Sequence, residues 1–399
     1  MAPSAVPTFR NRCRHPGGVG SPAVEAELRG RVRALLTGRL APRDPNKAVT
    51  VMGAGSDDLE SGRRYLAVLA EGGLSAPRWP VELGGMGLDA DDAGIVAEEL
   101  AQFEGADLYP FMVGIGLVGP TMIEHGTSEQ LARWLPGIRD GSEIWCQLFS
   151  EPDAGSDLAG LTTRAVRDGD AWRVSGQKVW SSRAAYADWG LLLARSDASV
   201  PKHAGITAFG LDMHAPGITV RPLRQMNGDT HFSEVFLDDV AVPDDDRIAE
   251  AGAGWNVAIT TLAHERASIG GGWGAITREQ LVALAAGCGP VTRDRLSRAA
   301  GDLEVTRFAN LRAKAAARSG RPPGPEGSGA KLRNSEVLRR LSEVALDTLG
   351  ADGMMGTGQW HTLFLTGPSF RIRGGTDEIQ RNIIGERVLG LPREPRVDK

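Results

Sequence analysis

Along the first third of the chain, apolar residues return every three to four positions. Over 22–42, Val24, Leu28, Val32 and Leu35–Leu36 share a face, which predicts an amphipathic helix. A second helix is expected over 58–71, closed by Gly72–Gly73. Further helices are expected over 90–105 and 112–124. Thr127-Ser128-Glu129-Gln130 reads as a capping pattern ahead of Leu131 and Trp134. The rhythm changes near Gly141. From there to about Arg247, short β-rich runs alternate with turns: 171–180, 189–196, 205–213 and 233–243. After Ala251 the helical pattern returns, over 252–274, 290–319, 327–350 and 376–388, with a Pro/Gly-rich loop at 317–329. The order is helices, a β domain, helices, and the two helical parts are expected to pack together.

A length of 399 residues suits two or three domains or one large enzyme, and a hydrophobic share of 41% supports a real core. The net charge of −5 lacks the basic surplus of a nucleic-acid binder. Cys13, Cys146 and Cys288 are too few and too scattered for a disulfide framework or a Cys-based zinc site, which suggests a reducing, cytoplasmic setting. No run approaches the ~20 apolar residues of a membrane span. Residues 1–20 have no apolar signal core and read as a loose tail, an Arg-rich targeting peptide being the minor alternative. A P-loop, a Rossmann glycine fingerprint after a strand, HExxH and GxSxG are all missing, which disfavours nucleotide triphosphate, zinc-protease and serine-hydrolase chemistry.

Four segments carry candidate chemistry. In Gln147–Gly160, Ser150 and Ser156 offer hydroxyls and Gly155 permits close backbone approach; an ordinary turn has the same composition. Trp180-Ser181-Ser182 could stack on and hydrogen-bond a flat ligand, or Trp180 could be a core residue. On a helix over 252–272, Ala258, Leu262, Glu265, Ile269 and Gly272 form one stripe that a single carboxylate interrupts. Desolvation there would suit Glu265 to act as a base, unless it turns outward or pairs with an Arg. Finally, Gly374-Gly375-Thr376 opens a helix with Asp377 and Glu378 in its first turn, leaving free amides that can meet a carbonyl or phosphate oxygen.

Taken together with RWPVELGGMG (78–87), the run 126–165 and the run 168–197, these segments resemble the acyl-CoA dehydrogenase family over about residues 60–394. The resemblance implies an α+β fold with an N-terminal helical domain (21–140), a central β-barrel or sandwich (141–247) and a C-terminal four-helix bundle (248–399). It implies FAD between domains at a subunit interface, in a homotetramer or homodimer. It places Phe149 and Ser150 against the flavin, Trp180 and Ser182 beside its ring, and Ser156 near the phosphate or CoA portion. Gly350 would approach the FAD of a neighbouring subunit, and Thr376 and Glu378 would contact FAD where the last helix begins. Tyr109, Phe111, Met112 and Trp255 fall at pocket-floor positions, with core packing as the equal alternative.

Two departures matter. Many members carry their base in a Glu-Gly-Thr turn, where this chain has Gly374. A second group carries it on the helix after the β domain, immediately before an Arg; here that dipeptide is Glu265-Arg266. The family uses the backbone N–H at this position to polarise the thioester carbonyl, and the resemblance implies that Gly374 keeps that role. The Arg-x-x-Phe-Gly stretch that reaches a neighbour's FAD is not recognisable around 275–300. The implied activity is α,β-dehydrogenation of an acyl-CoA, with an electron-transfer flavoprotein as acceptor. A partner subunit of a heteromeric dehydrogenase, a flavin oxidase and a carrier-protein-thioester dehydrogenase are the alternatives on the same fold.

Overall fold

The computed structural model describes residues 22–44, 58–269, 276, 278–318, 326–356 and 358–393. The expected tail at 1–20, most of the loop at 317–329 and the end of the stripe at Gly272 lie outside the described residues.

The N-terminal helices are α1 (Pro22–Leu36), α2 (Leu59–Glu71), α3 (Ala90–Leu100), α4 (Gly119–His125) and α5 (Ser128–Asp140). α1 stops short of the expected boundary because Gly38, at φ +81, turns the chain and Thr37 bridges to Leu40. α3 likewise ends at Leu100. The run 112–124 is not one α-helix: a π-helical turn, Gly114–Val118, leads into α4. The capping pattern before α5 forms as read, Thr127 accepting from the Gln130 N–H and Gln130 accepting from the Thr127 N–H. The other end of the Gln130 amide donates to the Asp245 and Arg247 carbonyls, so one residue caps a helix and ties it to the sheet.

The β strands are β1 (Trp145–Leu148), β2 (Arg164–Asp168), β3 (Ala171–Ser182), β4 (Trp189–Arg195), β5 (Ile206–Asp212), β6 (Ile218–Leu223), β7 (Phe232–Pro243) and β8 (Arg247–Ile248). All belong to one sheet of order β6-β7-β3-β2-β4-β5-β8, with β1 paired parallel to β4. The pattern anticipated β3, β4, β5 and β7. It passed over β1, β2, β6 and β8, which are short or exposed on alternate positions. Trp134 of α5 packs edge-on against Trp145 and Trp189 at 5.4 and 5.6 Å, joining the helical domain to the sheet.

The C-terminal helices are α6 (Gly254–Ile269), α7 (Arg278–Ala285), α8 (Pro290–Arg318), α9 (Glu326–Leu349), α10 (Ala351–Met355), α11 (Gln359–Phe370) and α12 (Asp377–Arg387). α9 is the hub, with α7, α8, α11 and α12 packed on it. α6 instead lies on β5 and α4. Val257 and Ala258 are buried there, and a Cβ on Gly254 would come within 2.7 Å of the Thr207 backbone. Helices α7, α10 and α11 were not anticipated.

Candidate functional site

The first part of the site is where the chain leaves β1. Lys178, on β3, is fully buried, and its ammonium donates to the Phe149 carbonyl at 3.1 Å and to Glu151 Oε1 at 2.8 Å. Glu151 is 5% exposed and also accepts from the Thr162 and Thr163 amides and the Thr162 hydroxyl. One step on, the Val179 N–H donates to the Ser150 carbonyl at 2.9 Å. Burial alone would raise Glu151; the Lys178 charge and the hydrogen bonds to it outweigh that and hold it at about 2. Burial pushes Lys178 down to about 8, with Glu151 pulling the other way. Both residues sit inside the segments singled out from sequence, yet neither was recognised; a Lys in phase with Trp172 and Val174, on the inward face of an alternating strand, is the signal that could have found Lys178.

Alternation along β3 breaks at a bulge between Lys178 and Ser181 in its pairing with β7. Lys178 and Val179 both face inward, and Trp180 turns out in the left-handed region at φ +59, 61% exposed. That conformation costs a non-glycine residue roughly 1–2 kcal/mol. Trp180 is therefore not a core residue; its indole meets Phe232 edge-on at 6.1 Å. Ser181 is buried, and its Oγ has no hydrogen-bond partner among the described residues. Ser182 and Ser150 are half-buried. The Phe149 ring is core, packed in one cluster with Trp134 and Trp145, so what this residue can offer a ligand is backbone.

Beyond Ser182, Arg183 lies at φ +57 with its guanidinium 4.7 Å from the Tyr109 ring, and His231 packs edge-on to the same ring at 6.1 Å. Tyr109 leads to the second part of the site. Arg373, in the turn between α11 and α12, is pushed down to about 10 by burial, against the opposing pull of Tyr109 and Glu265. Glu265 is half-buried on α6 and lies within electrostatic reach of that turn. Its place is set by three hooks from α6 to α4: Thr261 to Thr121 at 3.1 Å, Thr260 to His125 at 2.8 Å, and His264 to Glu124 at 3.0 Å.

The turn is pinned from the other side. Buried Asp377 takes Lys331 at 3.0 Å and Arg371 at 2.7 Å, and Ser335 donates to the Phe370 carbonyl. Gly374 and Gly375 adopt φ +66 and +85, and the buried Gln380 amide donates to both of their carbonyls. A side chain at Gly374 would be strained by its φ alone. Thr376 caps α12 by accepting from the Ile379 N–H; Glu378 is exposed and held below the usual carboxylate range by its own backbone N–H, with the Thr376 hydroxyl adding to it.

The structure thus brings Ser150, the Phe149 backbone, Trp180 and Ser182 to one end of β3, and Glu265 to the Gly374 turn. Tyr109 links the two parts. Ser156 is exposed farther along the loop, and Gly350, at φ +55, is exposed at the α9–α10 junction. Of the pocket-floor positions, Phe111 is core, Met112 is exposed, and Trp255 stacks edge-on with His203 at 4.7 Å. An outward indole beside serine hydroxyls, with the orphaned Ser181 Oγ behind it, fits a flat ring with polar edges such as a flavin. Among the described residues no three His, Cys, Asp or Glu side chains gather as metal ligands.

Family models for the acyl-CoA dehydrogenase N-terminal, middle and C-terminal domains match residues 23–142, 146–240 and 252–389. The chain is 38% identical over 385 residues to acyl-CoA dehydrogenase IpdE1 of Mycobacterium tuberculosis, covering 93% of this chain and 98% of that one. It is 41% identical over 335 residues to acyl-CoA dehydrogenase FadE34 of the same organism, covering 82% of this chain but 46% of that longer one. Among solved structures, the Tcur3481-Tcur3483 steroid ACAD superposes with a TM-score of 0.76 at 30% identity, covering 94% and 99% of the two chains. The chain belongs to the acyl-CoA dehydrogenase family of flavin-dependent oxidoreductases.

Proposed function

We propose that this chain removes the α and β hydrogens of an acyl-CoA thioester to leave the trans-2-enoyl-CoA. The observation that carries the reading is that Glu265 on α6, far away in sequence, comes within electrostatic reach of Arg373, the residue before Gly374. Glu265 takes the α-proton onto its carboxylate. The Gly374 N–H donates to the thioester carbonyl, which acidifies the α-carbon as negative charge moves onto that oxygen. FAD, when bound, supplies the acceptor for the β-hydrogen and its electron pair. Ser150, Trp180 and Ser182 would hold it from the β3 side, with the Phe149 backbone beside them. Thr376 and Glu378 would hold it at the start of α12, Ser156 on its phosphate side, and Gly350 would reach toward the FAD of a neighbouring copy. An electron-transfer flavoprotein is the proposed acceptor of the electrons. The likeness to the Tcur3481-Tcur3483 steroid ACAD puts steroid-derived acyl-CoAs first among substrates to try.

A second reading concerns assembly. Solved structures similar to this chain include the ChsE4-ChsE5 complex from Mycobacterium tuberculosis, at 29% identity and a TM-score of 0.70. Val305, Phe308 and Leu311 form an exposed apolar stripe on α8. These favour an assembly with a second chain, whether a copy or a different subunit.

The test is anaerobic bleaching of the flavin by a panel of acyl-CoAs, in wild type and in Glu265→Gln. The variant should keep its FAD and slow by about 10²–10⁴-fold, the usual worth of a positioned base. Wild-type rates in the variant would remove Glu265 from the mechanism. Peroxide release under air would indicate an oxidase, and bleaching only by a carrier-bound acyl group would indicate a carrier-protein substrate.

A further inference from the structure

The Lys178–Glu151 pair is costly to bury: two charges leave water at the end of a strand where apolar residues would pack as well. Its hydrogen bonds show what it acts on. Besides Glu151, the ammonium holds the Phe149 carbonyl at 3.1 Å. A peptide unit is planar and trans, so the Phe149 C=O and the Ser150 N–H point in opposite directions. With the carbonyl drawn toward the buried ammonium, the Ser150 N–H faces away from it. That N–H and the Ser150 hydroxyl have no partner among the described residues, although the Ser150 carbonyl is bonded to Val179. Glu151 in turn is held by Thr162 and Thr163, so the ammonium cannot shift without breaking a network anchored at both ends of the 151–163 loop. Lys178 lies on the regular inward phase of β3, and the bulge that follows it turns Trp180 out.

We propose that the buried Lys178–Glu151 pair is a positioning couple for the cofactor site, gripping the Phe149 carbonyl so that the Ser150 N–H is presented to an acceptor atom on the edge of the bound flavin. The inference rests on the reading of this site as an FAD site. Neither residue touches the cofactor; both act through the 149–150 peptide. Loss of the pair frees that peptide to rotate, and the donor is lost even if the loop stays folded.

The test uses the full-length protein stripped of FAD. Circular dichroism follows folding, and flavin fluorescence and absorption follow FAD titration. Lys178→Met alone leaves Glu151 buried without its countercharge and should destabilise the protein. The double variant Lys178→Met with Glu151→Gln removes both charges at nearly constant volume. Its melting temperature should recover most of the loss. Its FAD dissociation constant should remain about tenfold weaker than wild type, the scale of one charge-assisted hydrogen bond, and its flavin absorption bands should be displaced. A double variant that regains wild-type FAD affinity and an unshifted spectrum together with its stability would show the pair to be structural only, and would overturn the proposal. A wild-type protein that takes up no FAD would overturn the underlying site reading, and this inference with it. That outcome appears in the wild-type titration, before any variant is compared.

Discussion

The aromatic knot of Trp134, Trp145 and Trp189 and the α8 stripe of Val305, Phe308 and Leu311 show two ways in which this chain treats its apolar surface. The knot lies inside a continuous core that runs from α4 and α5 through the sheet to Val257 and Ala258 of α6. Trp134 and Trp145 are fully buried, and a Cβ on Gly210 would come within 2.8 Å of the Trp134 ring. Among the described residues, the helices packed on α9 have small buried clusters, such as Leu281, Ala299 and Leu341, or Leu338, Leu363 and Phe370. They leave Val305, Phe308, Leu311, Met354 and Met355 exposed. The sheet half closes its core within one chain. The C-terminal helices leave apolar side chains on their surface. The proposed site lies where the two meet, with Ser150, Trp180 and Ser182 on the self-sufficient side and the Gly374 turn, Thr376 and Glu378 on the other.

Four experiments sharpen or break this contrast, from the largest effect to the smallest. Trp134→Ala should cost about 3–5 kcal/mol, as for a large aromatic lost from a packed core, read as a fall in the denaturant midpoint. A loss below about 1 kcal/mol would mean that the core near α5 is looser than its burial indicates. Next comes acid. The folded protein holds Glu151 at about 2, below its ordinary value of 4.5. Glu151's contribution to stability is therefore complete above the ordinary value and is lost as pH falls from there toward 2. The wild-type melting temperature should drop across that window more steeply than that of Glu151→Gln, and parallel curves would remove the pair from the acid response. Thr127→Ala removes the α5 cap and should cost about 1 kcal/mol, with the fold unchanged by circular dichroism. Last, Phe308→Lys should move the chain's own folding stability by no more than about 0.5 kcal/mol, as for an exposed position. The same change should shift the assembly to smaller size in sedimentation. An unchanged size would separate the α8 stripe from any interface.

Local signals were read well wherever the physics is local. Thr127 and Gln130 form their reciprocal cap, Thr376 caps α12, and Gly72 closes α2, because each depends on backbone groups within a few residues. α11 was not anticipated from the pattern. In the structure Pro368 falls in its last turn, where its missing N–H costs one bond, and the helix packs on α9. The short strands β1, β2, β6 and β8 carry too few alternating positions to stand out from turns.

What the sequence determined by itself is the order of helices, sheet and helices, the caps, and the presence of Glu265 before Arg266 with Gly374 in place of a carboxylate. These follow from residue identity and from contacts a few positions apart. Only the tertiary structure decided that Glu265 comes within electrostatic reach of Arg373, that Phe149 is core while Trp180 is on the surface, and that Lys178 is buried on Glu151. Each of these depends on segments distant in sequence, or on a bulge that shifts the alternation by one residue. A period-2 pattern assigns faces only while pairing stays in register. At β3 the register breaks beside the proposed cofactor site, and there the fold, not the pattern, chooses which side chain faces out.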